Sequence, residues 1–276
     1  MQLYAPAKIN LSFVIKGRRE DGFHEIETLM APISLMDRLT IEGGDANAGV
    51  RFSCDDPSLA NGENLVIRAV KVFEKATKIR VGVKIGLEKR IPHGAGLGGG
   101  SSDAATTLLG LNELFETGLD QQRLVELAAE IGSDVPFFIL RSAAICRGRG
   151  EIVEPATLPT SFSLLLVKPD FGVPTPWAYE KWKGSRGLPG VGDARQEFSG
   201  VNFVNDLERP VFEKFVLLGY LKTWLRLQPE VGAALMSGSG STVFAVVRAG
   251  ADRARLAERI REEVDQRIWT FACETV

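Results

Sequence analysis

The chain has 276 residues, 45% hydrophobic and 25% charged, with a formal net charge of −2. That is room for two modest domains or one large one, and there is no overall field to favour nucleic acid or an anionic membrane surface. Three cysteines and two histidines, widely spaced and without a C-x-x-C pair, exclude a disulfide framework and a histidine-rich or zinc-finger metal site and suit a reducing cytosol. No apolar run approaches a membrane span and no leader precedes the first strand pattern, so a cytoplasmic protein is expected.

From Ala7 to Ile15 the chain alternates, with Ile9, Leu11, Phe13 and Ile15 on one face and Lys8, Asn10, Ser12 and Val14 on the other. This is a strand packed on a core by one face, and Pro6 is expected to limit its start. Alternation alone favours Lys8 and Asn10 facing solvent. Asp21-Gly22 makes Arg18 to His24 a hairpin tip, and Leu35 to Ile41 and Val50 to Cys54 read as further strands. Asn64 is a candidate N-cap for a helix with Leu65, Val66, Ala69, Val70 and Phe73 on its apolar face. The basic groups Lys16-Arg18-Arg19, Lys89-Arg90 and Arg147-Arg149 read as solvated faces.

Val81, Val83, Ile85 and Leu87 alternate as a strand, and behind them comes Pro92-His93-Gly94-Ala95-Gly96-Leu97-Gly98-Gly99-Gly100-Ser101-Ser102-Asp103. A helix pattern follows at once, with Ser101, Ser102 or Asp103 as its expected N-cap. A strand, a glycine loop and a helix start together offer free N–H groups and a positive dipole end, which is a site for a phosphate anion. The glycines are expected to let the backbone approach the phosphates at positive φ. A Walker A loop would need a lysine where Gly100 stands. The match Gly94-x-Gly96-x-x-Gly99 to the dinucleotide fingerprint lacks a second strand ending in an acid about 20 residues on. Asp170-Phe171-Gly172 lacks the other protein-kinase motifs.

A second helix is predicted from Asp120 to Ile131, with Gly132 closing it, and then Ser133-Asp134-Val135-Pro136, where Asp134 has the spacing of an N-cap. Ala143 to Arg147 reads as a strand, and a boundary near Glu154 to Pro159 divides the chain into 1–155 and 156–276. Phe162 to Val167 is a buried strand. A stiff loop through Pro174-Thr175-Pro176 leads into a helix beginning Trp177-Ala178-Tyr179. Lys183 to Asn202 is glycine-rich and aperiodic, so a mobile segment is expected. Asn205-Asp206-Leu207-Glu208 is expected to cap one helix carrying Val211, Phe215, Leu218, Leu221 and Leu225. Ser237-Gly238-Ser239-Gly240 is compatible with a plain hairpin turn. A strand from Thr242, a helix from Ala251 and a last strand from Arg267 complete an α+β pattern.

The glycine loop resembles the second motif of the galactose/homoserine/mevalonate/phosphomevalonate (GHMP) kinase superfamily, Pro-x-Gly-x-Gly-Leu-Gly-x-Gly-Ser-Ser. Pro6-Ala7-Lys8-Ile9-Asn10-Leu11 and Arg19-x-Asp21-Gly22-Phe23-His24 resemble its 4-diphosphocytidyl-2-C-methyl-D-erythritol kinase branch, as do Thr175-Pro176 and Asn205-Asp206-Leu207-Glu208. The resemblance implies an N-terminal ribosomal-S5-like domain and a C-terminal ferredoxin-like domain. It implies phosphorylation, by ATP with Mg²⁺, of the 2-hydroxyl of a cytidine-diphosphate-linked methylerythritol. ATP is then expected on Asn64 and on the run from Pro92 through His93, Gly94, Ala95, Gly96, Leu97, Gly98, Gly99 and Gly100 to Ser101 and Ser102. Lys8 and Asp134 would be catalytic. Asn10, Phe23, His24, Thr175, Tyr179, Gly238 and Ser239 would bind the acceptor, with the cytosine between Phe23 and Tyr179 and its edge read by His24. No metal ligands are assigned, neither nucleic acid nor membrane is expected as a partner, and a monomer or weak dimer is expected. A homoserine-type kinase and a non-catalytic nucleotide-binding regulator are the alternatives.

Overall fold

The computed structural model describes residues 1–191 and 195–276. In chain order the elements are β1 (Gln2–Arg18), β2 (His24–Gly43), β3 (Val50–Cys54), α1 (Leu65–Thr77), β4 (Val83–Glu88), α2 (Gly99–Leu114), α3 (Gln121–Ile131), α4 (Val135–Leu140), β5 (Ala144–Gly148) and β6 (Ile152–Pro155). They continue with β7 (Ser163–Lys168), α5 (Thr175–Trp182), β8 (Gln196–Phe198), β9 (Val201–Asn205), α6 (Glu208–Lys214), α7 (Val216–Arg226), β10 (Val231–Met236), β11 (Val243–Val247), α8 (Arg253–Glu263) and β12 (Trp269–Glu274). The fold is α+β. One sheet runs β3-β4-β2-β1-β9-β8, with β5 and β6 attached through β2, and the other runs β10-β11-β7-β12.

Three buried clusters stack these elements into layers. Phe73, Leu108, Leu127 and Phe137 of the first four helices pack on Leu39, Ile41, Ile85 and Leu87. Between the sheets, Ile9, Leu11, Ile33 and Leu35 meet Leu164, Leu166, Leu235 and Phe244. On the far face of the second sheet, Leu165, Val167, Ala245 and Val247 carry Leu218, Leu221 and Leu225 of α7 and Leu256 and Ile260 of α8. β7 is thus covered on both faces, which is why it reads as an unbroken apolar run.

The long β1–β2 hairpin does not keep one apolar face, as its alternation suggested. Its register shifts between Pro6 and Ala7 and again between Asn10 and Ser12. Ala5 therefore faces the helices, Ala7, Ile9 and Leu11 face the second sheet, and Phe13 and Ile15 join the third cluster. Pro6 does not limit the strand, which starts at Gln2. It sits at the first irregularity, where a residue without an N–H is tolerated.

Two further expectations are corrected. The stretch from Lys183 contains β8 and the beginning of β9, while 192–194 lie outside the described residues. β9 pairs parallel with β1, Ser12 opposite Val204 and Phe13 opposite Asn205, so this late segment returns to the first sheet. The helix expected after Asn205 is two helices, interrupted at Phe215 by a non-helical backbone at φ −102° and ψ 65°. Gly132 closes α3 as expected, in an extended conformation at φ −178°.

Candidate active site

Lys8 and Asn10 are not solvent-facing: they are 3% and 1% exposed. Lys8 Nζ donates to Asn10 Oδ1 at 2.7 Å, Asn10 Nδ2 donates to Thr28 Oγ1 at 2.8 Å, and Thr28 Oγ1 donates to Ser12 O at 2.5 Å. This chain fixes the amide and aims the ammonium. Lys8 Nζ also lies 3.7 Å from Asp134 Oδ2. Burial pulls the Lys8 pKa below the ordinary lysine value, opposed by the Asp134 carboxylate. Asp134 does occupy the N-cap position of α4, but its side chain makes no capping hydrogen bond. It is free to face Lys8 instead, with its own side chain 40% exposed.

The glycine loop lies against this strand. Its carbonyls are taken by protein donors: Thr242 N reaches Ala95 O at 3.2 Å, Ser237 Oγ reaches Gly96 O at 3.0 Å, and Lys8 N reaches Leu97 O at 2.9 Å. α2 starts at Gly99, with left-handed Gly98 as N-cap and no side-chain cap, so Ser101, Ser102 and Asp103 are inside the helix rather than before it. The first-turn N–H groups of α2 have no intrahelical acceptor, and they are the groups that can meet an anion. The glycines have a second cause besides phosphate approach. A Cβ on Gly96, at φ +73°, would stand 2.2 Å from Ser237 O, and one on Gly98 would stand 2.9 Å from the Phe138 ring and 3.0 Å from Lys8 Cγ.

Behind the loop, Lys89 Nζ donates to Asp103 Oδ2 at 2.7 Å and to Asp37 Oδ2. Asp37 Oδ1 accepts from Arg90 N at 2.5 Å and Ile91 N at 2.8 Å. Burial works against the Lys89 ammonium, but the Asp103 and Asp37 carboxylates outweigh it and hold its pKa above the ordinary value. One cation thus serves two buried carboxylates. Burial pushes the Asp103 carboxyl up to about 7, with Lys89 pulling it down and Asp37 pushing it further up. Lys89, expected on a solvated face, has a side chain only 11% exposed.

These parts share one cavity of about 530 Å³. It is lined by Lys8, Asn10, Asn64, Pro92 through Ser101, Asp134, Thr175, Tyr179, Gly238 and Ser239, and also by Thr28, Lys89 and Asp103. Asn64 caps α1, accepting from Val66 N at 2.9 Å. Thr175 Oγ1 and Ser239 Oγ share a hydrogen bond of 2.7 Å. Ser239 belongs to the turn between β10 and β11, which packs on the glycine loop.

Chain-wide comparison agrees with this architecture. The family models for the GHMP kinases N terminal domain and GHMP kinases C terminal match residues 64–142 and 195–266. The 4-diphosphocytidyl-2-C-methyl-D-erythritol kinase of Methylacidiphilum infernorum is 44% identical over 250 residues, covering 88% of this chain and 85% of the relative. That of Syntrophotalea carbinolica is 41% identical over 283 residues, covering 99% and 98%. A crystal structure of 4-(cytidine 5'-diphospho)-2C-methyl-D-erythritol kinase superposes over the whole of both chains with a TM-score of 0.81 and 37% identity. The chain belongs to the 4-diphosphocytidyl-2-C-methyl-D-erythritol kinase family. It is an ATP-dependent kinase, so the homoserine-type and non-catalytic readings fall away. The mevalonate kinase of Methanococcus jannaschii, at 13% identity and a TM-score of 0.67, shares the fold.

Three residues sit differently in this kinase than expected. Ser102 is fully buried and does not line the cavity. Phe23 is 51% exposed, with the Arg149 guanidinium 4.8 Å over its ring, and it too lies off the cavity lining. Tyr179 stacks instead on His24, ring centroids 5.2 Å apart at 28°, and His24 meets Trp182 edge-on at 5.8 Å. The sandwich of Phe23 and Tyr179 is therefore not formed. Sequence reasoning missed Lys89, Asp37 and Asp103 as a set. The available signal was an acid, Asp37, falling in the alternation on the same face as Leu35, Leu39 and Ile41.

Two predictions come from the loop. Gly96→Ala should destabilise the fold by about 1–2 kcal/mol from the left-handed backbone alone, with the Ser237 clash added. Losing one charge-assisted phosphate contact, about 1.5–3 kcal/mol, should also raise the ATP Kd about tenfold or more, while Gly17→Ala, where a Cβ meets nothing within 4 Å, should change neither. Calorimetry and thermal melts check both, and a Gly96→Ala protein with wild-type ATP affinity would sink the assignment.

The second prediction concerns pH. A carboxyl raised in the fold stabilises it most below the unfolded-state value of 3.8, and that contribution is lost as pH rises through about 7. Wild-type stability relative to Asp103→Asn should therefore decline across that window. Urea midpoints at about pH 5 and about pH 8 read the slope, and a difference that rises with pH would contradict it.

Proposed function

We infer that this kinase transfers the γ-phosphoryl group of ATP to the 2-hydroxyl of 4-diphosphocytidyl-2-C-methyl-D-erythritol, in the methylerythritol phosphate route to isoprenoid precursors. The observation that carries the reading is the Lys8–Asp134 pair, in one cavity with the glycine loop and the start of α2. We assign ATP to Asn64 and to the loop from Pro92 to Ser101, with buried Ser102 supporting it from below. Gly98, Gly99 and Gly100 bring backbone N–H groups and the positive helix end to the phosphates.

Phosphoryl transfer passes through a loose transition state, so positioning and charge stabilisation matter more than strong base catalysis. Asp134 orients the acceptor hydroxyl and takes its proton late, as the hydroxyl oxygen bonds to the γ-phosphorus and the bond to the β-phosphate oxygen breaks, leaving ADP. Lys8, held by Asn10, keeps Asp134 in place and offsets charge on the transferring group. Thr175, Gly238 and Ser239 hold the erythritol end. Tyr179 and His24 offer stacking faces for the cytosine, with Phe23 at the outer rim.

The residues present fit a magnesium ion that arrives on the nucleotide phosphates, the usual mode for Mg²⁺. Among the described residues no group of three or more His, Cys, Asp or Glu is arranged to hold a metal, but Asp103 Oδ1 is buried without a hydrogen-bond partner and borders the cavity. Asp103 would hold the ion from the protein side, and the ion would supply neutralisation of phosphate charge. Domains at 1–155 and 156–276, a monomeric or weakly dimeric state and a cytoplasmic location complete the proposal. For the location, no helix among the described residues is long and apolar enough to cross a membrane.

ADP release measured with methylerythritol, homoserine, mevalonate and the cytidylyl-linked acceptor should be substantial with the last alone; turnover of homoserine or mevalonate at equal rate would overturn the reading. Asp134→Asn should lower kcat by roughly two to four decades, the range for an acid–base residue, with ATP affinity held. A near-wild-type kcat would return Asp134 to a structural role. Tyr179→Ala should raise the acceptor KM by about one to two decades, since base–aromatic stacking contributes about 1–3 kcal/mol, and leave the ATP KM in place. Equal losses for both substrates would make the ring a core residue.

A further inference from the structure

β10 is an outer strand of its sheet, and its free edge is satisfied by side chains rather than by another strand. Gln196 takes both groups of Ala234, donating Nε2 to its O at 2.7 Å and accepting its N at 3.0 Å. Two residues on, Met236 O accepts from Asn205 Nδ2 at 2.7 Å and Met236 N donates to Glu208 Oε1 at 2.8 Å. Asn205 Nδ2 reaches one step further and also donates to Gly238 O at 2.7 Å. Its Oδ1 accepts from Leu207 N at 2.9 Å, so the amide is fully used and its orientation is fixed.

The backbone around Asn205 is bound to the other half of the site. Asn205 pairs with Phe13 of β1, Asp206 N donates to Phe13 O at 2.9 Å, and Asp206 Oδ2 accepts from Ile15 N at 2.8 Å. β1 is the strand that carries Lys8 and Asn10. One 4%-exposed carboxamide therefore spans from the strand of the catalytic lysine to the turn of Gly238 and Ser239. There is little slack there, because a Cβ on Gly238 would stand 3.2 Å from Asn10 Oδ1 and 3.3 Å from Lys8 Nζ.

We propose that Asn205 is a positioning residue that sets the distance of the Gly238–Ser239 turn from Lys8 and Asn10, and so seats the acceptor for transfer. The residues of the turn are anchored separately, with Ser239 sharing its hydrogen bond with Thr175. Ser237 is tied to the ATP loop through Gly96 O, whereas Gly238 is tied to Asn205. Releasing Asn205 moves the acceptor side of the turn and leaves the nucleotide side held. This deepens the reading above and rests on its assignment of Gly238 and Ser239 to the acceptor.

The test compares Asn205→Asp and Asn205→Ser with Gln196→Glu, a change of the same kind at the other end of the same edge. Asn205→Asp keeps the shape and loses both donors, and Asn205→Ser removes the bridge without adding a buried charge. Both should lose about a hundredfold in kcat/KM for the acceptor, the scale of a 1 Å misplacement, with the ATP KM unchanged. Gln196→Glu should lower the melting temperature comparably with neither KM changed. Wild-type acceptor kinetics in a folded Asn205 variant, a parallel rise of both KM values, or the same kinetic loss in Gln196→Glu would overturn the proposal. So would failure of both Asn205 variants to fold, since the residue would then be core. Ser239→Ala separates the two levels: an unchanged acceptor KM there refutes the assignment of the turn, not the anchoring.

Discussion

The site depends on a backbone contact between two loops that are far apart in sequence. Gly96, in the loop before α2, lies so close to Ser237, in the turn after β10, that a Cβ would stand 2.2 Å from the Ser237 carbonyl oxygen. The same pair is joined by Ser237 Oγ to Gly96 O. Hydrogen bonds with defined direction, unlike apolar packing, hold the two loops at one separation. The glycine loop and the turn that carries Gly238 and Ser239 therefore share one frame. The absent side chain at Gly96 is as much a requirement of loop-to-loop packing as of ligand approach.

Several buried charges around that frame are set against an opposite one. Lys8 faces Asp134, Lys89 faces Asp37 and Asp103, and Lys222 faces Glu208. Such pairs gain little net stability, because desolvation offsets most of the Coulomb attraction. What they do supply is direction: Lys8 is aimed by Asn10, and Glu208 spends its second oxygen on Met236 N. The Lys89 group differs in having one cation for two carboxylates. Burial first, and then the second carboxylate of Asp37, push the Asp103 carboxyl up to about 7 against the pull of Lys89.

Much of the machinery could be read along the chain, for physical reasons that are local. The glycine loop, the Asn64 cap and the Asp21-Gly22 turn are set by φ and by hydrogen bonds within a few residues. So they stand out in one dimension. The face on which Lys8 lies could not be read this way, since it depends on register shifts between β1 and β2 that involve the partner strand. The strands after Lys183 were hidden for a similar reason. β9 is a strand because β1 offers it an edge, and β8 because β9 does. Asn205 shows both limits at once: its capping chemistry is local, its bonds to Met236 and Gly238 are not.

The tip of the β1–β2 hairpin shows how tertiary contact redirects an aromatic motif. Phe23 and His24 are adjacent at a hairpin tip, and in an extended backbone adjacent side chains point to opposite faces. Only one of them can turn toward α5. His24 does, and stacks on Tyr179, while Phe23 turns outward beneath Arg149. His24 is half-buried, and its pKa is lowered chiefly by desolvation and further by Arg18, which favours the neutral imidazole. The hairpin tip thus parts its two rings: His24 packs on Tyr179, which lines the cavity, and Phe23 stays at the surface beneath the Arg149 cation.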